Sequence, residues 1–325
     1  MAEADLLERF LARARGHHDA QTLLGPGDDG AIIGGLPRGL VISTDSFVEG
    51  SHYQAGWLSP QDLAWRCMGA SLSDLAAMGA HARFVTLDLC LRGDESQDFI
   101  DTFASAFGAA TRAYSVDLIG GDLVRSDRQS MSLTVMGTPP GGRALRRRGA
   151  KAGDGIWVSG FLGGAAAGLG ALQRKLRVSA DDTIAFRRPE PRLLLGMTMA
   201  RMNLAQCAID TSDGLAMDLG RLCKASGLGA QLNTAAMPMH PRVRRIAQRL
   251  DQDPLNLALH GGEDYELLFT VRQSEYDKVR NHPKLSVIGH AVAAPDAFTL
   301  VTKNGPEVPL KAQGWDSFHP SAPSS

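Results

Sequence analysis

Acidic residues set beside glycines and small hydroxyl residues are the part of this sequence best suited to chemistry. Asp28 and Asp29 lie in the turn GPGDDG, Asp45 follows Ser43 and Thr44, and Asp122 follows Gly120 and Gly121. Asp210 and Asp213 flank Thr211 and Ser212, while Glu263 and Asp264 follow Gly261 and Gly262. The pattern places them at strand ends and in tight turns, where a ligand can approach the backbone. Few have a basic residue placed to pair with them locally. Magnesium takes a few carboxylates and fills its other positions with substrate phosphates and water, so carboxylates scattered over several loops suit it. The ligand spacing of EF-hand calcium loops is absent. Turn formation alone would account for any one of these motifs. Asp74 is different, because it falls within the helical, largely apolar stretch SLSDLAAMGA. Leaving a buried carboxylate without its counter-charge costs roughly 3–5 kcal/mol. The nearby sequence offers no cation, and a metal is the economical partner. Asp88, in FVTLDLCL, can point to solvent and reads as structural.

If the metals serve phosphates, the phosphates need a site. The sequence contains a literal GxGxxG over residues 25–30, but two aspartates occupy the turn and no helix start follows, so a dinucleotide-binding loop is excluded. GxxxxGK[ST] is absent, so a P-loop is excluded as well. Arg143, Arg146, Arg147 and Arg148 form a basic run that is either a solvated surface or a guanidinium clamp on a triphosphate. His52, just past the Asp45 strand, can reach a substrate, whereas His17, His18, His282 and His290 lack ligand-like partners. Trp315 in GWDSF is either a plug over the core or a stacking surface for a flat substrate.

These residues need elements to position them. The 325 residues suit two domains, with 44% hydrophobic and 21% charged residues, as in ordinary globular proteins. A formal net charge of -1 gives no global field for nucleic acid or an anionic membrane. Cys67, Cys90, Cys207 and Cys223 form no CxxC pair and read as reduced thiols. The N-terminal segment reads as an amphipathic helix, not a signal peptide, and no stretch is long and apolar enough to span a membrane, so the cytoplasm is the expectation. The pattern predicts a short strand over 40–42 running into Ser43, Thr44 and Asp45. A helix follows over 60–78, N-capped by Ser59, with Pro60 at its first position. Next come a strand over 84–91, a helix over 95–114, a strand over 116–119 stopping at Gly120, and a strand over 130–137. A turn-rich, basic connector at 138–153 marks the domain boundary. The second half predicts strands at 155–159, 229–233, 266–271, 285–292 and 298–302, with helices near 190–204 and 215–227. Both halves are mixed α/β.

Taken together and in order, GPGDDGAII, VISTDSFVEGSH, SLSDLAAMGA, IGGD, GRALRRRGAKAGD, IDTSDGL and GGEDYELLFT, ending in GWDSF, resemble the thiamine-monophosphate kinase family. That family lies in the aminoimidazole ribonucleotide synthetase-like superfamily. The resemblance spans nearly the whole chain. It implies two α/β (α+β mixed) domains: 1–140 for ATP, magnesium and dimerisation, and 141–325 completing the active site. It also implies a homodimer in which the N-terminal sheets of two subunits pair. The implied reaction carries the ATP γ-phosphoryl to the phosphate of thiamine monophosphate, giving thiamine diphosphate and ADP. Asp29, Ser43, Thr44, Asp45, Asp74, Asp122, Asp210 and Asp213 match magnesium-ligand positions. Gly121, Asp122, Arg147 and Ser212 match ATP positions, with Arg146 and Arg148 as alternatives to Arg147. His52, Glu263 and Trp315 match substrate positions. The acceptor is already an ionised phosphate, so no acid–base residue is implied. Another ATP-dependent member of the superfamily, a non-catalytic nucleotide binder and a metal phosphatase are the rival readings. The spread of the aspartates over both halves leads us to expect a site at the domain junction.

Overall fold

The structure, a computed structural model, describes residues 3–24, 32–35, 39–302, 305, 307–311 and 314. The chain divides into two units, Met1–Leu75 with Ala80–Gly142, and Ala76–Gly79 with Arg143–Ser325.

In the first unit, polar residues at alternate strand positions decide which side chains face a helix. The elements are α1 (Glu3–Ala14), β1 (Thr22–Leu24), β2 (Ile32–Ile33), β3 (Val41–Val48), α2 (Pro60–Ala77), β4 (His81–Leu91), α3 (Gln97–Tyr114), β5 (Asp117–Arg125) and β6 (Ser130–Thr138). Helix α2 starts as expected: Ser59 Oγ accepts from the Asp62 amide at 3.2 Å, with Pro60 at the first helical position. Strands β3, β6, β4 and β5 form a sheet in that order. One face carries Met131, Leu133, Val135, Leu87 and Leu89, all buried. The other carries Ile42, Thr44, Ser46, Ser132, Thr134, Asp88 and Asp122, joined in register across the strands.

Two strand expectations are corrected here. Strand β3 does not stop at Ile42: it runs to Val48, so Ser43, Thr44 and Asp45 lie mid-strand, paired with Val135, Thr134 and Leu133. Strand β5 does not stop before Gly120 but continues through Asp122 to Arg125. The glycine serves close approach between strands: a Cβ on Gly121 would lie 1.9 Å from the Leu87 carbonyl oxygen.

The second unit contains β7 (Gly155–Ser159), α4 (Gly164–Gln173), α5 (Ile184–Arg187), α6 (Leu193–Arg201), β8 (Ala205–Asp210), α7 (Leu215–Ser226), β9 (Gly229–Asn233), α8 (Pro241–Leu250), α9 (Pro254–His260), β10 (Leu267–Val271), α10 (Tyr276–Val279), β11 (Leu285–Val292), β12 (Phe298–Val301) and β13 (Val308–Pro309). Its sheet has the order β13-β12-β9-β11-β7-β10-β8. The run Ile156-Trp157-Val158 is buried throughout because both faces are covered. Ile156 and Val158 face a core with Leu215, Leu219 and Leu222 of α7. Trp157 faces Met199 and Ala200 of α6, together with Ala76 and Ala77. Strand β10 runs antiparallel to both β7 and β8, pairing Leu267 with Asp210 and Leu268 with Val158. The ends of β7 and β8 and the start of β10 therefore share one edge.

Candidate active site

Strand alternation in β3 turns Ser43 and Asp45 to the α2 side of the first sheet. There Ser43 Oγ donates to Asp74 Oδ2. Burial pushes the Asp45 carboxyl up to about 6, with the nearby Asp74 charge adding to the rise and a Ser71 hydrogen bond opposing it. Among the described residues, no lysine or arginine makes an ion pair with Asp45 or Asp74. Two carboxylates without a basic partner fit a divalent cation, which would supply the missing charge. No set of three metal-ligating side chains is assembled among the described residues.

Thr44 and Asp122 lie elsewhere. Thr44 points to the opposite face of the sheet, its hydroxyl 2.9 Å from that of Thr134. Asp122 pairs in register with Asp88, and its Oδ1 accepts from the Leu123 amide at 2.8 Å. Asp122 is thus a strand residue on the exposed side, not a turn residue. Asp29 and Trp315 lie outside the described residues. His52 sits in the turn after β3, where its Nδ1 accepts from the Val48 amide at 3.0 Å. His18 Nδ1 faces the buried Asp117 carboxylate at 3.3 Å.

In the second unit, the segments around 211–214 and 261–266 close on one another at the shared strand edge. The Glu263 amide donates to Ser212 O at 2.7 Å, the Tyr265 amide to Thr211 O at 3.0 Å, and the Thr211 amide to Glu266 O at 2.8 Å. A Cβ on Gly262 would lie 2.5 Å from Ser212 O, and one on Gly314 would lie 2.4 Å from Asp213 O, so both positions need glycine. Asp210 ends β8 and is buried. Glu263 and Tyr265 both take left-handed backbone, with φ of 69° and 51°. For residues other than glycine this costs about 1–3 kcal/mol each and persists only where neighbours enforce it.

The scarcity of basic partners is corrected at Asp213, whose carboxylate accepts from Arg221 Nη1 at 2.5 Å. Arg221 also reaches the buried Asp218 at 2.8 Å. A cation at Asp213 would therefore compete with an arginine, unlike one at Asp45 and Asp74. Arg143, Arg146, Arg147 and Arg148 are exposed and have no ion-pair partner among the described residues. Their backbone is held: the Leu145 amide donates to Met78 O, and Arg146 O accepts from the Ala208 amide, both at 2.9 Å.

Asp264, which the sequence grouped with Glu263, caps a helix, and Glu266 escaped the sequence reading. Asp264 sits at the start of α4, where Oδ2 accepts from the Gly163 amide at 2.6 Å and Oδ1 from the Ala165 amide at 3.0 Å. Glu266 is buried and grips Arg192 with both oxygens, at 2.7 Å to Nε and 2.6 Å to Nη2. A glutamate directly before the apolar run LLFTV was the available signal, since a charge entering a buried strand demands a partner.

Both halves of the chain match the AIR synthase related protein family, its N-terminal domain over residues 27–139 and its C-terminal domain over 151–301. The thiamine-monophosphate kinase of Salmonella typhimurium is 42% identical over 277 residues, covering 83% of this chain and 82% of that protein. That of Escherichia coli K12 is 38% identical over 328 residues, covering 97% and 98%. This chain belongs to the thiamine-monophosphate kinase family. The crystal structure of a family member from Stenotrophomonas maltophilia K279a matches with a TM-score of 0.81 at 33% identity, covering 93% of this chain and 97% of that one. Four of the family segments meet in pairs. IDTSDGL and GGEDYELLFT meet at the edge of the second sheet, and VISTDSFVEGSH faces SLSDLAAMGA across β3 and α2.

Proposed function

We propose that this chain transfers the γ-phosphoryl group of ATP to the phosphate of thiamine monophosphate, releasing thiamine diphosphate and ADP. The observation that carries the reading is the Asp45–Asp74 pair, two carboxylates brought together with no basic partner among the described residues, in a chain of this family. Several magnesium ions would supply the charge that lets two phosphate-bearing anions approach. Asp45, Asp74 and Ser43 hold one set of ligand positions, and Asp29, Asp122, Asp210 and Asp213 provide further ones. Thr44 takes part through its backbone, since its hydroxyl is turned to the other face.

The remaining roles belong to the chain's own groups. The exposed guanidinium of Arg147, flanked by Arg146 and Arg148, binds the ATP phosphates with Gly121, Asp122 and Ser212. His52, Glu263 and Trp315 hold thiamine monophosphate. The acceptor phosphate is ionised at neutral pH and needs no general base, so catalysis rests on positioning and charge neutralisation. Use of ATP fits a cytoplasmic enzyme, and among the described residues no helix is long and apolar enough to cross a membrane. The face of the first sheet away from α2 fits pairing with a second copy. Residues 1–140 and 141–325 serve as the two functional domains.

The test is to incubate purified protein with ATP, magnesium and thiamine monophosphate and to resolve the products chromatographically. Formation of thiamine diphosphate with stoichiometric ADP is expected. Its absence over a range of magnesium concentrations would reject the reading, and free thiamine would indicate a phosphatase.

A further inference from the structure

The segment carrying Glu263 is held in an unfavourable shape, and the structure shows by what. Glu263 and Tyr265 are both left-handed, their amides held by Ser212 O and Thr211 O, and Glu266 follows as the buried end of the segment. The Glu266 backbone is tied to Thr211 in both directions. Its amide donates to Thr211 Oγ1 at 3.1 Å, and its carbonyl accepts from the Thr211 amide at 2.8 Å. Thr211 lies between Asp210 and Ser212. Glu266 therefore anchors both the Glu263 loop and the Asp210–Asp213 segment at one end, while the Asp264 carboxylate on the Gly163 and Ala165 amides holds the loop at the other.

The Glu266 side chain is itself anchored. Arg192, at the N-terminal end of α6, makes a two-pronged contact, and Ser159 Oγ at the end of β7 donates to Oε2 at 2.5 Å. The Leu267 amide donates back to Ser159 Oγ at 2.9 Å, which closes the network onto β10. Burial would lower the Arg192 pKa, but the Glu266 hydrogen bonds and charge override it and hold it raised, so the guanidinium stays charged. A planar fork on a carboxylate fixes orientation as well as charge, which a lysine cannot do.

We propose that Arg192 is a positioning residue for the phosphoryl transfer, acting through Glu266 to hold the Glu263 loop and the Thr211 segment in their binding geometry. This rests on the proposed reaction for its kinetic consequence but not for its structural one. A carboxylate that can rotate lets the left-handed residues relax, and displacement of a binding group by about 1 Å can cost roughly a hundredfold.

The experiment compares wild type with R192K, R192M and the double variant R192M/E266Q, in which no unpaired buried carboxylate remains. Each is measured by thermal melting, by steady-state kinetics in both substrates, and by hydrogen–deuterium exchange without ligands. In R192M/E266Q we expect a folded protein with KM for thiamine monophosphate raised about tenfold or more, KM for ATP changed less, and faster exchange confined to 211–214 and 261–266. R192K should recover the melting temperature but leave KM raised, because one ammonium cannot replace the fork. Kinetic constants within about twofold of wild type in the folded double variant would overturn the proposal. Exchange raised evenly across the second unit, or no local change in exchange, would also overturn it. Should wild type form no thiamine diphosphate, the reaction fails on its own, while the exchange measurement still decides whether Arg192 positions these segments.

Discussion

Asp74 shows how a single residue type in the wrong setting betrays a site. Within α2 it is flanked by the buried residues Ser71, Leu72, Ser73 and Leu75. Its hydrogen-bond partner is the Ser43 hydroxyl, with no arginine or lysine pairing with it among the described residues. Asp74→Asn keeps the shape and the hydrogen-bonding capacity but removes the charge. We expect turnover to fall by roughly a hundredfold or more, with an unchanged circular dichroism spectrum and a melting temperature at or above that of wild type. Near-normal turnover would make Asp74 structural. Asp213 looks equivalent in sequence but is not, because Arg221 already neutralises it. Which arginine reaches which aspartate, across eight residues of loop and helix, is set by the folded backbone, and local pattern could not show it.

Elements carry the second set of consequences. Helix α1 is fastened to α3 by Arg9, which donates to both oxygens of Asp101, one of them at 2.7 Å. That hydrogen bonding, opposed by burial and aided by a Gln97 hydrogen bond and the charge of Arg13, holds the Asp101 carboxyl down at about 2, against its ordinary 3.8. A lowered pKa means the folded state favours the ionised form, so its stabilisation is complete above about pH 4 and disappears as pH falls toward 2. Melting of wild type and Asp101→Asn from pH 6 to pH 2 should show a gap at high pH that closes at low pH; a constant gap would exclude the linkage. Helix α7 offers a packing test. Leu219 is fully buried against the β7–β10 core, and Leu219→Ala should cost about 2–5 kcal/mol in urea unfolding. Helix α2 and strands β7, β9 and β11 were legible because period, caps and flanking glycines all agreed. The continuation of β3 through Ser43-Thr44-Asp45 and of β5 through Gly120-Gly121 was not. There, pairing with β6 and β4 outweighs weak strand propensity, and that pairing is a long-range fact.

At the scale of the whole molecule, the face of the first sheet away from α2 carries exposed side chains. Ile42 and Val124 are 57% and 43% exposed on it, amid the Thr44–Thr134 and Ser46–Ser132 hydroxyl pairs. The two apolar side chains stand on opposite edge strands and form no continuous apolar patch, so pairing of this face with a second copy is a prediction to be tested. A second copy presenting the same face would bury these apolar side chains at a two-fold axis, where each residue meets its counterpart or a neighbour. Ile42→Glu places a carboxylate on that face of each copy and leaves the α2 side of β3, with Ser43 and Asp45, untouched. Light scattering of wild type should give the mass of two chains, and of Ile42→Glu the mass of one, with the melting temperature of the variant becoming independent of protein concentration. A wild type that is monomeric at micromolar concentration, or a variant that stays dimeric, would remove this face as the interface. Because Asp122 lies on the same face, the variant also tests whether pairing supports catalysis. Loss of turnover in a folded monomer would mean that Asp122 serves the phosphates only beside a second copy.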